Sequence, residues 1–205
     1  MPLQNRVDPF GELRAVPARG MFMGNRGGRI HRDDRTLTRR RWTSPAWICC
    51  RLAFKARHRM VWGKSYTELF FLDEPTALSA GHRPCFECRR ADARAFAAAW
   101  ARARHLRSAP RAHEMDLVLH AERLDGRTKR RHRGALDDLP DGTMIALSGE
   151  RAFAVRGDRL LPWTPDGYGG PQPRPRKILV EVLTPPAIVA ALAAGYRPQW
   201  HPSAG

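Results

Sequence analysis

The chain has 205 residues, enough for one full domain or two small ones, each burying a modest core. Hydrophobic residues make up 42%, and no apolar run approaches the roughly 20 residues that span a bilayer, which excludes a membrane-spanning helix class. Lys and Arg number 36 against 20 Asp and Glu, a net charge of +16, so the surface carries a positive field that favours polyanions, nucleic acid above all.

Arginine dominates this charge, with lysine only at Lys55, Lys64, Lys129 and Lys177. Arg suits bidentate phosphate contacts, although a GC-rich genome produces the same bias without functional cause. The first residues hold no charged start followed by an apolar stretch, so a cytoplasmic location with reduced thiols is expected.

Residues 1–41 are rich in Gly, Pro and Arg, including Gly24-Asn25-Arg26-Gly27-Gly28-Arg29 and Arg39-Arg40-Arg41. They match neither a Walker loop nor a dinucleotide fingerprint, and a basic, partly ordered arm that tightens on nucleic acid is expected. From Trp42 the character changes. Residues 47–54 read as a strand leading into a knuckle, followed by the basic run Lys55-Ala56-Arg57-His58-Arg59. Residues 66–72 are rich in aromatics and read as a buried strand. Asp73 is then a good N-cap and Pro75 a good early helical residue for a short helix that Gly81 terminates. A second helix runs from Arg89 to about Arg107, with Ala93, Phe96, Ala97 and Trp100 on its apolar face.

Pro110 breaks that helix, and residues 112–124 form another. On it Asp116 and His120 stand four apart and share a face, which makes them either an acid–base pair for hydrolysis or a plain surface contact. Asp125 to Arg133 is a basic loop holding Lys129, Arg130 and Arg131. Short strands follow at 144–147, 152–155 and 159–163, separated by turns at Ser148-Gly149-Glu150 and Gly157-Asp158. Residues 163–171 form a rigid turn whose aromatics would stack an unpaired base or pack beneath a Pro-rich loop. A strand at 177–183 and a helix at 186–194 complete the chain. Ala77-Leu78-Ser79-Ala80-Gly81-His82-Arg83-Pro84 is echoed by Ala191-Leu192-Ala193-Ala194-Gly195-Tyr196-Arg197-Pro198, which signals either a repeated unit or two similar glycine-capped helices.

All four cysteines fall into an adjacent pair, Cys49-Cys50, and a C-x-x-C pair, Cys85 and Cys88. A C-x-x-C turn lets two thiolates face one tetrahedral ion, and a distant pair can close the site. The alternative is a buried cysteine group with a redox or packing role.

Residues 47–91 resemble the zinc-binding DNA-repair module of the Ada family. The resemblance is carried by Cys50-Arg51, Ala56-Arg57-His58, the strand at 67–72, and Ala77 through Cys88 with its Ala-Leu-x-Ala-Gly-x-Arg-Pro-Cys-x-x-Cys pattern. The family has a further cysteine four residues after the first, where this chain has Phe54. The resemblance implies zinc held by Cys50, Cys85 and Cys88, with Cys49 as the fourth ligand and His82 or His58 as its substitute. It also implies that Cys50 accepts a methyl group from a DNA phosphotriester, with nearby Arg holding the phosphate backbone.

The expected fold is α+β: a small zinc-stabilised α/β module at 42–108 between the basic arm at 1–41 and a short-stranded, β-rich part at 109–205 with a C-terminal helix. The expected function is a zinc protein that binds nucleic acid, DNA ahead of RNA, in repair or regulation. Arg51, Arg57, Arg83, Arg89, Arg90, Lys129, Arg130 and Arg131 are the candidate nucleic-acid contacts. The alternatives are an enzyme acting on nucleic acid, through Cys50 or through Asp116 and His120, and an RNA-binding module.

Overall fold

The computed structural model describes residues 1–55, 60–147 and 151–205. Arg57, His58 and the turn at Ser148-Gly149-Glu150 lie outside these described residues. The fold is α+β. Short strands β1 (Arg6–Val7), β2 (Leu13–Arg14), β3 (Phe22–Arg26), β4 (Trp47–Arg51), β5 (Leu69–Phe71) and β6 (Arg83–Pro84) form a six-stranded sheet in the order β2-β1-β5-β3-β4-β6. Pairing is antiparallel except β1 with β5 and β4 with β6, which run parallel. No helix among the described residues is long and apolar enough to cross a membrane.

The expectation of a separate arm at 1–41 gives way here. Phe22 to Arg26 pairs along its length with β4, and Val7, Leu13, Phe22 and Ile30 share one buried cluster with Leu69 and Phe71. Burying each such side chain is worth roughly 1.5–3 kcal/mol, which outweighs the solvation of the intervening arginines. Gly24 sits between β4 and β5 in this sheet, where a Cβ would stand 2.1 Å from the Ile48 carbonyl oxygen. The run therefore owes its glycine to strand packing rather than to phosphate wrapping.

Helix α1 (Glu74–Ser79) begins as its residues dictate, with the Asp73 carboxylate accepting the Thr76 N–H at 3.0 Å. It ends in a Schellman cap. Gly81, at φ 83°, donates to the Leu78 carbonyl, and His82 donates to that of Ala77. Helices α2 (Arg90–Ala103) and α3 (Ala112–Arg123) follow, joined to a hairpin of β7 (Leu124–Asp125) and β8 (Thr128–Lys129) inside the expected basic loop.

The C-terminal part holds an antiparallel sheet of β9 (His132–Ala135), β10 (Met144–Leu147), β11 (Arg151–Arg156), β12 (Arg159–Thr164), β13 (Gly167–Tyr168), β14 (Gln172–Pro173) and β15 (Leu179–Val182). Helix α4 (Pro186–Ala193) packs against α2 and α3 through Ile188 and Leu192. Gly195, at φ 98°, closes α4 with the same pair of bonds that closes α1. The sequence echo is thus a shared cap after a strand–helix unit, and only the first copy continues into a strand beside β4.

The parts at 42–108 and 109–205 share interior contacts. Leu72 is buried with Met144, Leu161 and Tyr168, and the Asp73 carboxylate accepts the Tyr168 hydroxyl at 2.9 Å and the His201 N–H at 3.2 Å. Trp163 donates to Thr76 Oγ1 at 3.0 Å, so its indole is engaged in packing on α1.

Candidate metal centre

Strand β4 carries Cys49 and Cys50 at its end, and successive strand residues face opposite sides of a sheet. Cys49 turns inward to the cluster of Phe22 and Leu69, fully buried, while Cys50 faces the other side and is half-buried. Parallel pairing of β6 beside β4 then sets the C-x-x-C turn next to Cys50, with the Cys85 N–H bonded to the Cys49 carbonyl at 3.0 Å. The sulfurs of Cys50, Cys85 and Cys88 all lie within 4.8 Å of one another.

This group fits a thiophilic ion. A tetrahedral zinc with bonds near 2.3 Å separates its sulfurs by about 3.8 Å, a short closure from this arrangement. Backbone N–H groups already point at the sulfurs, Glu87 to Cys85 and Arg51 to Cys88, both at 3.4 Å. The N-terminus of α2 begins two residues after Cys88 and favours negative charge. Hydrogen bonds from the Cys50 and Cys88 thiols hold Cys85 well below an ordinary thiol, whereas Cys50, the donor to it, is pushed up.

Two expected ligands do not join this group. Cys49 lies across the sheet, where Arg89 Nη1 donates to its sulfur at 3.4 Å and burial raises its pKa. His82 is fully buried between Trp47 and Phe71, with ring centroids 5.1 and 4.7 Å away, and burial keeps it neutral. Among the described residues the metal-competent group is therefore three cysteines. They open onto a cavity of about 340 Å³, walled by Met23, Phe54, Val61, Tyr66 and Phe70 and also lined by Glu68.

The candidate phosphate contacts divide by burial. Arg51, Arg90, Arg130 and Arg131 are exposed, the last two beside Asp125 (3.8 Å) and Glu181 (3.0 Å). Arg83 is instead buried in a bidentate pair with Asp116, at 2.8 and 2.7 Å. Arg89 is buried against Glu74 and Asp92, each at 2.9 Å. Lys129 points inward and donates to the Ser79 carbonyl. These three serve the interior because a buried guanidinium or ammonium must find acceptors there.

The Asp116–His120 pair expected from spacing is also divided. Asp116 is taken by Arg83, and His120 Nδ1 lies 3.0 Å from Arg123 Nη2 and edge-on to Trp42. Arg26 and Arg123 sandwich the Trp47 ring, each 4.0 Å from its centroid, and burial lowers both to about 9. Lys129 falls to about 7, first through burial and then through the charges of Arg26 and Arg123.

One basic surface gathers the arginine run expected in the nucleic-acid arm with residues from outside it. Arg39, Arg40, Arg41, Trp42, Thr43 and Arg127 line an open cavity of about 390 Å³. Its signal was the Arg39-Arg40-Arg41-Trp42 run, while Arg127 arrives from the β7–β8 hairpin and donates to the Arg39 carbonyl. Four guanidinium groups around one indole suit a phosphate backbone with a stacked base. No family model, curated protein or solved structure matches the chain.

Proposed function

We propose that this chain is a zinc protein that binds nucleic acid, DNA foremost, in a repair or regulatory setting within the cytoplasm. The grouping of Cys50, Cys85 and Cys88 within 4.8 Å, with backbone N–H groups on two of the sulfurs, carries the metal assignment. Three sulfur donors select zinc among common divalent ions, because soft thiolates suit it far better than magnesium or calcium. The net charge of +16 and the Arg39–Arg41, Trp42 and Arg127 surface support the polyanion.

Metal analysis of protein purified without chelator tests the first half, with about one zinc per chain expected and Cys85→Ser expected to lose it. A chain free of zinc, or a Cys85→Ser variant with full zinc, overturns the reading. Binding to duplex DNA, single strands and structured RNA across a salt series tests the second half. A flat salt response overturns it, and tighter binding to RNA moves the target.

A second reading follows from the position of Cys50, the least buried residue of the three cysteines and part of the cavity wall. In this reading, which the Ada resemblance implies, bound zinc would displace the Cys50 proton to solvent and the resulting thiolate would attack a methyl phosphotriester. A sulfur–carbon bond forms, the carbon–oxygen bond breaks, and a phosphodiester anion leaves. Mass spectrometry after exposure to methylated DNA would find Cys50 one methyl group heavier; an unmodified thiol at saturating DNA excludes it.

A further inference from the structure

A second cavity lies behind the Arg39–Arg41 surface. It measures about 30 Å³, and among the described residues its walls include Arg26, Arg41, Arg123, Arg127 and Lys129 against a single carboxylate, that of the exposed Glu12. Arg41, Trp42 and Arg127 line both this inner cavity and the outer one of about 390 Å³, so the two adjoin. Basic side chains thus run inward from Arg39 and Arg40 at the surface to Arg26 and Arg123, which are 3% and 1% exposed.

The charged heads, and not only their stems, are placed against this inner cavity. Trp47 forms part of its wall, and the guanidinium carbons of Arg26 and Arg123 each sit 4.0 Å from the Trp47 ring centroid. Arg26 Nη2 donates to the carbonyl of Gly11, another wall residue, at 2.7 Å, and its Nε approaches His82 Nε2 at 3.5 Å. Arg26 Nη1 meets no acceptor among the described residues, and its surface is not sealed by neighbours. Lys129 Nζ has three hydrogens to donate and reaches the Ser79 carbonyl alone, beside the wall residue Ala80. Arg123 donates to the carbonyls of Gly81 and Pro45. Among the described residues none of these three cations forms an ion pair with a carboxylate.

Buried cations without counter-charges are costly. Burial, and then the charges of Arg26 and Arg123, lower Lys129, and an anion seated among the three offsets both effects.

Building on the nucleic-acid reading proposed above, we infer that the inner cavity receives a terminal phosphate, the phosphate monoester at the end of a nucleic-acid strand, while the last nucleotide lies in the outer cavity. Size separates an end from a continuing chain. A volume of about 30 Å³ holds roughly two waters, which admits phosphate oxygens but neither a sugar nor a base, so a strand cannot thread through. The outer cavity of about 390 Å³ is large enough for one nucleotide. Charge points the same way, since a monoester carries about −1.5 to −2 near neutral pH against about −1 for a diester. Guanidinium forks also match phosphate oxygens in shape.

Fluorescence anisotropy with single-stranded DNA tests the inference. One strand is phosphorylated at its 5′ end and another at its 3′ end, and a hydroxyl-ended strand is lengthened until its charge equals theirs, which removes the general effect of charge on affinity. At one salt concentration, one of the phosphorylated strands is expected to bind about 10-fold more tightly than the hydroxyl-ended strand. Inorganic phosphate, compared with chloride at equal ionic strength, is expected to remove that advantage. Lys129→Met, with its folding checked by circular dichroism, is expected to lose most of it; if that variant does not fold, the phosphate competition on the unaltered chain decides. Failure of all three strands to bind would sink the nucleic-acid reading itself. With binding intact, equal affinity for the three strands, an advantage indifferent to inorganic phosphate, or one undiminished in folded Lys129→Met would each overturn the terminal-phosphate site alone.

Discussion

A strand turns successive side chains to opposite faces, and at Cys49 and Cys50 this separates two thiols of the same chemistry. Replacing Cys49 by Ala should leave zinc content at the wild-type level and lower stability by about 1–2 kcal/mol in a denaturant titration, since it empties part of a packed interior and removes the sulfur facing Arg89. Equal zinc loss from Cys49→Ala and Cys85→Ser would place all four sulfurs in one site. Lys129 offers a test by pH. Its ammonium titrates near 7 in the fold and near 10.5 when the chain is unfolded, so between those values the unfolded chain binds more protons and stability rises with pH. Lys129→Met should remove that part of the rise, read as the difference between the two stability curves from pH 7 to 10. At this scale the site was half legible: C-x-x-C announces its turn, but the fate of Cys49 depends on strand phase.

At the scale of elements, α1 is the joint between the two sheets. Its cap residue Asp73 accepts from Thr76, Tyr168 and His201 at once. Asp73→Ala should therefore cost about 3 kcal/mol, well above an exposed cap, whereas Tyr168→Phe should cost only about 1 kcal/mol; chemical denaturation of both variants makes the comparison. Equal costs would mean that the cap alone matters. Elements with local signals were readable from the sequence: the Asp73 and Gly81 limits of α1, the Pro110 break before α3, and the Gly157-Asp158 turn between β11 and β12. Pairing across distance was not. Residues 22–26 read as loop because Gly24 and Asn25 weaken any strand pattern, yet flanking strands on both sides supply the hydrogen bonds that their propensity does not.

For the whole molecule, the charge of +16 predicts salt-sensitive association with a polyanion, and the residues free to meet one are surface arginines rather than the inward-turned Arg83, Arg89 and Lys129. Changing Arg39, Arg40 and Arg41 together to Gln should reduce the slope of log affinity against log salt by up to about 3 for duplex DNA. Changing Arg83 should instead unfold the protein before it alters that slope, since Asp116 would be left buried and unpaired. Strand phase at Cys49 has one more consequence, in the language of oxidation. A peroxide that reaches the metal-competent group meets three clustered thiols, and three cannot all pair with one another. Once two of them join, one sulfur is left over, and Cys49, sealed behind the sheet, is in no position to complete the set. Oxidised protein should thus carry a single odd thiol at this site, open to capture by glutathione or by a second copy of the chain.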